Sequence, residues 1–314
     1  MKRCVSFLIT ALMVLTFTSC GGENTTTRQS FAFDTVVNIT ANKSFSSEIS
    51  QAFELCKSYG DIFSRTSPDS ELYAINTGED TSPSADIKNV LDFSLDMSRL
   101  TDGAFDITVA PLVELWDANN RTAPPTDAEI KAAQEKVGYR KISGEPFSLQ
   151  GACLDMGAVA KGYIADRLIG HFKKNNVTDV IVDLGGNVAL LGEHTVGIRN
   201  PFSSDEVFAV IKLKDKSAVT SGAYQRYFIH NQKRYHHIID PRTGKCADSG
   251  IASVTVVSPS SMWADALSTS IFILGEDALS LCKEFPDTDA LIINENGTVI
   301  TTDGFEEKYD FEYN

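Results

Sequence analysis

The sequence predicts an α+β protein, a compact unit in which helices are mixed with a largely antiparallel sheet. Apolar residues recur at helical spacing in several segments, and strand signals separated by glycine, asparagine and aspartate dominate from Val180 to Val257. The 314 residues contain no internal repeat and no low-complexity linker. One large core, or two intimately joined parts, is therefore expected.

The first part of this unit is predicted to be a strand followed by two helices. Apolar residues alternate with smaller or polar ones from Phe31 to Ile39, which predicts a strand. A helix is expected from about Ser47, and its core-facing stripe consists of Ile49, Phe53, Cys56 and Phe63. A second helix is expected from Ser84 to Leu100.

Helix and hairpin signals continue through the rest of the chain. Thr126 and Glu129 form a capping box that opens a short helix. A longer helix is expected after Gly157, and its apolar stripe consists of Ile164, Leu168 and Phe172. Residues 226–230 and 234–240 predict a hairpin across a polar turn, and residues 261–274 predict another helix.

The N-terminus has the features of a bacterial lipoprotein signal. Residues 1–19 begin with Lys2 and Arg3 and continue as an apolar run too short to span a membrane. Small residues then precede Cys20, so we expect Cys20 to carry lipid and to begin a mature, exported chain. An ordinary secretory signal is the alternative. Residues 20–30 are expected to form a flexible tether and 31–314 the folded domain.

Charge and cysteine content narrow the class of partner. The formal net charge is −14, and removing residues 1–19 with their two cations makes it −16. Such an acidic chain argues against nucleic acid, and it offers no basic patch for anionic lipid. Membrane attachment would then depend on lipid at Cys20. Of the six cysteines, Cys4 lies in the signal and Cys20 would carry lipid. The other four show no CxxC spacing, which argues against a zinc site. Whether they form disulfides is left open.

The densest group of reactive side chains lies between Tyr235 and Gly244. It contains two imidazoles, a carboxylate and a guanidinium ahead of a Pro/Gly turn. A rigid hairpin would deliver His237 and Asp240 to one end of a sheet, with Asp240 able to fix the tautomer of His237. Neighbouring residues of a strand point to opposite faces, so His236 is an alternative to His237. A polar hairpin with one satisfied histidine is the structural interpretation.

Two further segments offer ligands for phosphate and metal. Residues 155–162, Asp-Met-Gly-Ala-Val-Ala-Lys-Gly, lie where a strand ends and a helix starts, a place where backbone N–H groups favour phosphate. Asp265 and Thr269 are four residues apart on a predicted helix, so both face one side and offer hard oxygen ligands to Mg²⁺. The spacing alone favours a structural role for this pair.

Taken together, these segments resemble the ApbE family of FAD:protein FMN transferases, from about Phe31 to Ile300. The motifs that carry the resemblance are 102–111, 154–163, 182–187, 236–241 and 263–270. The resemblance implies an ApbE-like fold with a nucleotide cleft between two joined parts. It implies metal ligation by Asp265, Thr269 and the backbone carbonyl of Ala158. It also implies FAD contacts from Phe33, Thr66, Ala104, Phe105, Asp106, Asp155, Lys161 and His237. Phe33 and Thr66 depart from the Met and Tyr that the family often carries there.

The resemblance also implies a reaction. A Ser or Thr hydroxyl of an acceptor protein would attack the FMN-side phosphorus of FAD, with Mg²⁺ as cofactor, and AMP would leave. Exported subunits of electron-transport complexes are the implied acceptors. Hydrolysis of FAD to FMN and AMP at the same site, or non-catalytic binding of FAD by a lipoprotein, are the alternatives.

Overall fold

A computed structural model describes residues 24–80, 82–144, 147–203 and 206–314. The predicted signal peptide and Cys20 lie outside these residues. Within the described ranges, no helix is long and apolar enough to cross a membrane.

The described chain forms seventeen strands and eight α-helices. The strands are β1 (Thr25–Ala32), β2 (Thr35–Asn42), β3 (Ser143–Gly144), β4 (Phe147–Ser148), β5 (Val180–Asp183), β6 (Asn187–Leu191), β7 (Glu193–Arg199), β8 (Val207–Lys214), β9 (Ser217–Gly222), β10 (Tyr227–His230), β11 (Lys233–His236), β12 (Ile239–Asp240), β13 (Lys245–Cys246), β14 (Ile251–Ser258), β15 (Asp289–Asn294), β16 (Val299–Thr301) and β17 (Glu312–Tyr313). The helices are α1 (Ser46–Phe63), α2 (Glu71–Thr77), α3 (Ala85–Leu100), α4 (Ala110–Trp116), α5 (Asp127–Gln134), α6 (Ala160–Lys174), α7 (Ser261–Leu274) and α8 (Phe305–Lys308).

The main sheet has eight strands in the order β1-β2-β5-β6-β9-β14-β15-β16. Every neighbouring pair in it is antiparallel. A second sheet, β17-β8-β7, is also antiparallel, and β10–β11 and β12–β13 are separate hairpins. The predicted α+β class with a largely antiparallel sheet is therefore confirmed.

Helices cover one face of the main sheet and enclose the largest core. This core runs from Val37 in β2 to Ile292 in β15 and takes in the buried faces of α1, α3, α6 and α7. A second cluster lies between the sheet and β7–β8, and a third, smaller one lies around Trp116 beneath α5 and the hairpins. The β10–β13 hairpins pack against α4 and α5 through this third core.

The predicted helices occur close to their expected bounds. The stripe residues Ile164, Leu168 and Phe172 of α6 are fully buried, and Cys56 of α1 is a buried free thiol. Ser84 caps α3, and Thr126 and Glu129 form both hydrogen bonds of the predicted capping box. Amphipathic spacing and capping chemistry were sufficient to find these elements.

Two predictions near the N-terminus are wrong. The expected tether, 20–30, overlaps a strand from Thr25 onward, because β1 pairs along its whole length with β2. The expected single strand from Phe31 to Ile39 is interrupted by a tight turn at Phe33 and Asp34, where φ is 54° and 57°. Positive φ at both central residues is the geometry of a two-residue hairpin turn, so Phe33 lies at a hairpin tip.

Candidate functional site

The start of α6 lies directly against the start of α7. A Cβ atom on Gly162 would overlap the Ser261 carbonyl oxygen and lie 2.7 Å from the Cα atom of Met262. Only glycine fits at this contact. On the other side of the same contact, Asp166 of α6 accepts hydrogen bonds from the backbone N–H groups of Ser261 and Met262, at 2.7 and 3.1 Å. These interactions fix the two helix ends relative to each other.

Asp265 lies at this junction and is almost fully buried. Its Oδ2 atom accepts a hydrogen bond from the backbone N–H of Gly162 at 2.9 Å. Burial raises the pKa of Asp265, and the positive charge of Lys161, the Gly162 N–H and the Asn187 side chain oppose that rise. A buried carboxylate that retains unused acceptor capacity is suited to bind a cation.

The predicted metal ligands lie around the same junction. In a regular helix, the Gly162 N–H would donate to the carbonyl oxygen of Ala158, four residues earlier. Here it donates to Asp265 instead. No donor of the described residues bonds to the Ala158 carbonyl oxygen. Thr269, half-buried, lies one turn beyond Asp265 on α7, and its hydroxyl is 3.3 Å from that of Ser221. A carboxylate, a carbonyl and a hydroxyl form a set of hard oxygen donors, which suits Mg²⁺.

This donor set contains one acidic side chain. Across the described ranges, no group of three or more His, Cys, Asp or Glu residues is placed to hold a metal. A cation bound at Asp265 would therefore take its remaining ligands from backbone, hydroxyl, water and substrate oxygens. Mg²⁺ commonly keeps several waters and binds through one or two carboxylates together with substrate phosphates. The residues present fit that pattern.

His237 follows the β10–β11 hairpin and is held by Arg226. Its backbone N–H donates to the Arg226 carbonyl oxygen at 3.1 Å, and its Nδ1 lies 3.3 Å from the same oxygen. A carbonyl oxygen can only accept, so Nδ1 carries the proton and Nε2 keeps a free lone pair. Burial, followed by the charges of His236, Arg226 and Lys161, lowers the pKa of His237 to about 4. His237 is therefore neutral at pH 7.

His236 points to the opposite side of the strand and uses both ring nitrogens. Nε2 lies 3.0 Å from the Ala247 carbonyl oxygen, and Nδ1 accepts from the Ile238 N–H at 3.3 Å. The ring also packs edge-on against Phe272. Burial lowers the pKa of His236 to about 4. With no free nitrogen, His236 has a structural role, and the geometry favours His237 for proton transfer.

The predicted pairing of Asp240 with His237 is wrong. Asp240 is buried, but its two carboxylate oxygens accept from the Arg242 side chain at 3.0 and 2.9 Å and from the Arg242 N–H at 2.9 Å. The turn after Asp240 is held against α4 by a hydrogen bond from Trp116 Nε1 to the Gly244 carbonyl oxygen at 2.8 Å. Asp240 therefore stabilises a turn, and a backbone carbonyl orients His237 in its place.

The predicted flavin segment at Ala104–Asp106 lies beside the segment that leads to α6. The Asp155 N–H donates to the Ile107 carbonyl oxygen at 2.7 Å. Ala104 and Phe105 are buried in the main core. Asp106 is also buried, and its carboxylate accepts from Thr108 and from the Tyr139 N–H, so it stabilises its own loop. Because these three side chains are buried or already bonded, a flavin contact at this segment would come mainly from its exposed backbone atoms.

Thr66 and Phe33 occupy different surroundings. Thr66 is exposed, while its neighbour Arg65 donates to Asp155 Oδ2 at 3.1 Å and pairs with Glu114. The loop after α1 is thus joined to Asp155 through Arg65, a contact that the sequence did not indicate. Phe33 is half-buried against the main core. Next to it, the Gly185 turn approaches so closely that a Cβ atom there would overlap the Thr35 hydroxyl.

Lys161 connects the two reactive parts of the site. It follows Ala158 by three residues, and its Nζ donates to the Gly157 carbonyl oxygen at 3.3 Å. Its charge opposes the rise in the pKa of Asp265 and contributes to the lowered pKa of His237. With Arg226 also beside His237, cations gather here although the whole chain carries −14. Such a local field suits an anionic substrate such as a pyrophosphate.

Comparison with known proteins agrees with this arrangement. The sequence model of the ApbE family matches residues 33–292. The chain belongs to the ApbE family. The predicted resemblance is therefore confirmed over most of the described protein.

Individual ApbE relatives cover most of the chain. A FAD:protein FMN transferase of Klebsiella pneumoniae is 34% identical over 263 residues, which are 80% of this chain and 83% of that protein. One of Treponema pallidum is 34% identical over 276 residues, 78% and 76% of the two chains. The crystal structure of the ApbE protein of Thermotoga maritima is 29% identical with a TM-score of 0.80, covering 90% of this chain and 98% of that one. The flavin transferase ApbE of Vibrio cholerae gives 26% and 0.79.

Proposed function

We propose that this protein transfers FMN from FAD to a Ser or Thr hydroxyl of an acceptor protein, with Mg²⁺ and with release of AMP. The acceptor oxygen forms a bond to the FMN-side phosphorus. The bond from that phosphorus to the bridging oxygen breaks, and AMP leaves with that oxygen. The hydroxyl proton passes to a base of the enzyme. The relatives of Klebsiella pneumoniae and Treponema pallidum are named FAD:protein FMN transferases, which supports the flavin transfer itself.

The observation that carries the proposal is that Lys161 acts on both parts of the site. Its charge opposes the rise in the pKa of Asp265 and contributes to the lowered pKa of His237. Lys161 also directly precedes Gly162, whose N–H bonds to Asp265. One group of oxygen donors and one neutral base thus share a nearby cation. A pyrophosphate bound at Lys161 would have both within reach. A bound Mg²⁺ would neutralise charge on the phosphate oxygens as the leaving group departs.

The residues of the chain have separate tasks in this scheme. Asp265, Thr269 and the Ala158 carbonyl oxygen hold the cation. Lys161 attracts the pyrophosphate. The Nδ1–H group of His237 donates to the Arg226 carbonyl oxygen, which fixes the tautomer, and Nε2 accepts the hydroxyl proton.

The direct test is to incubate the protein with FAD, Mg²⁺ and an envelope extract and to look for fluorescent bands on a denaturing gel. AMP release is followed in parallel. A fluorescent band that needs both FAD and Mg²⁺ supports transfer. Stoichiometric AMP and FMN without any acceptor would instead indicate a FAD pyrophosphatase. Bound FAD with no AMP would indicate a non-catalytic carrier.

Affinity for FAD is expected to exceed affinity for FMN or riboflavin. The second phosphate and the adenosine add contacts near Asp155 and Lys161 that the shorter ligands lack. Titration followed by quenching of flavin fluorescence measures all three, without Mg²⁺ so that FAD stays intact. Replacing Lys161 by methionine should reduce the difference between FAD and riboflavin. Equal affinities for the three flavins in the unmodified protein would contradict the proposed site.

Membrane attachment through lipid on Cys20 is part of the same proposal. Replacing Cys20 by serine removes the sulfur that would carry the lipid, so the protein should move from the membrane fraction to the soluble exported fraction. Fractionation followed by immunoblotting measures this change. Replacing Cys56, a buried thiol of α1, serves as the control that leaves attachment unchanged. Unchanged membrane retention of the Cys20→Ser protein would count against lipidation.

A further inference from the structure

Asn187 is a buried polar side chain beside the Asp265 junction. It is 1% exposed, and its Oδ1 atom accepts a hydrogen bond from the Ser261 hydroxyl at 3.1 Å. Within the described ranges, its Nδ2 atom has no hydrogen-bond partner of normal geometry. Buried amide donors without a partner are rare in native proteins, so this one calls for an explanation.

The backbone of Asn187 is fixed by the sheet. Asn187 begins β6, where it pairs with Val219 of β9. Its carbonyl oxygen accepts from the Leu184 N–H at 2.9 Å across the glycine turn. Because these bonds involve only the main chain, they do not require an amide at this position.

The side chain of Asn187 faces the metal-binding side of α7. Ser261, Asp265 and Thr269 are spaced by four residues, so they form one row along the helix. Asn187 contacts the first residue of that row. Since the Ser261 hydroxyl donates to Oδ1, the amide orientation is set, and Nδ2 is the end of the amide that is left for another acceptor. Asp265 is the next position of the row.

We infer that Asn187 is a positioning residue, which donates from Nδ2 to the Asp265 carboxylate and fixes the orientation in which Asp265 binds its cation. The inference rests on the proposed function, because it assigns a partner to the proposed metal ligand. Asp265 is then held from two sides, by the Gly162 N–H of α6 and by Asn187 of β6. Mutating a residue that hydrogen-bonds to a metal ligand typically lowers metal affinity about 10–100-fold.

The test uses binding of Mn²⁺ to the full folded domain without FAD, measured by electron paramagnetic resonance of the free ion. Asn187→Leu removes the donor and keeps the side chain's volume close to that of asparagine. Its affinity for Mn²⁺ is expected to fall about 10–100-fold. Ser261→Ala, which frees the amide orientation, should give a smaller loss of the same sign. Ser253→Ala replaces a buried serine of the same sheet, with an unpartnered hydroxyl, and should leave Mn²⁺ affinity unchanged.

Kinetics give a second readout that a purely structural role would not produce. In Asn187→Leu, the Mg²⁺ concentration for half-maximal AMP release should rise by a similar factor, while the rate at saturating Mg²⁺ largely recovers. If Asn187→Leu does not fold, Asn187→Ser and Ser261→Ala carry the same comparison.

Different failures have different meanings. Mn²⁺ binding in Asn187→Leu within threefold of the unmodified protein overturns the inference and leaves the proposed function intact. A lower melting temperature without a change in Mn²⁺ affinity does the same, because it marks Asn187 as structural. An unmodified protein that binds no Mn²⁺ overturns the metal assignment, and the inference with it.

Discussion

Replacing Asp265 by asparagine is expected to abolish Mg²⁺-dependent release of AMP from FAD while the protein stays folded. The amide oxygen of asparagine can still accept from the Gly162 N–H, now 2.9 Å from Asp265, but the negative charge that attracts the cation is gone. A catalytic metal supplies several kcal/mol of transition-state stabilisation, and about 1.4 kcal/mol corresponds to a tenfold change in rate. A loss of about 10³-fold or more is expected, measured as AMP by chromatography.

Asp166 provides the matched control for this change. It is also a buried aspartate at the α6–α7 contact, but its oxygens accept from Ser260, Ser261 and Met262 at the start of α7. Asp166→Asn should lower the melting temperature and keep the Mg²⁺-dependent rate. Asp265→Ala should lose activity as Asp265→Asn does, with an added loss of stability because the Gly162 N–H loses its acceptor. Near-normal AMP release by Asp265→Asn would remove the metal assignment.

Replacing His237 by alanine is expected to slow transfer by about 10²–10⁴-fold, the usual contribution of general acid–base assistance. FAD and Mg²⁺ should still bind, because all the other proposed contacts to them lie outside the β10–β13 hairpins, among them Asp155, Lys161 and Asp265. Single-turnover transfer and flavin titration separate the two effects. His236→Ala is the comparison, and it should lower stability with little change in rate, since both His236 nitrogens bond within the protein. The reverse result would assign the proton transfer to His236, and a large loss of FAD affinity in His237→Ala would make His237 a binding residue.

The pH dependence follows from the depressed pKa of His237. Only neutral imidazole can accept a proton. Burial, together with Arg226, Lys161 and the protonated form of His236, keeps the pKa of His237 at about 4. Protonation of His237 should therefore not lower kcat/KM between pH 8 and about pH 6. The value of kcat/KM should fall as the pH approaches 4. Histidine in an unfolded chain is protonated near pH 6.5, so the folded state also loses stability as the pH falls from there toward 4.

The sequence was sufficient to predict α1, α3, α5, α6 and α7, but not α2 or α4. The amphipathic stripe of α6 and the capping box of α5 are local patterns, and the structure contains both. The contact of Gly162 with Asp265 is not local. It depends on Gly162 allowing two helix ends to meet, and a glycine in a sequence does not show which residue fills the space beside it.

The failures have a common physical origin. β1 is an edge strand whose residues are mostly polar and exposed, so it lacks the alternation of apolar residues that marks a half-buried strand. Asp240 was paired with His237 because they are close in sequence, whereas Arg242, nearer still, takes both carboxylate oxygens. Arg65 and Arg226 were missed because their partners, Asp155 and His237, are brought close only by the fold.

If Cys20 carries lipid as proposed, the early start of β1 limits the distance between the folded protein and the membrane. The Asn24 carbonyl oxygen already accepts from the Lys43 N–H at 2.7 Å, so residue 24 is already part of the fold. Four residues from a lipidated Cys20 span at most about 14 Å, whereas a free tether to residue 31 would reach about 40 Å. A folded domain on so short a tether can reach only a thin layer above the bilayer. Acceptor hydroxyls displayed within that layer, on membrane-resident proteins, would meet the site far more often than those on freely diffusing ones.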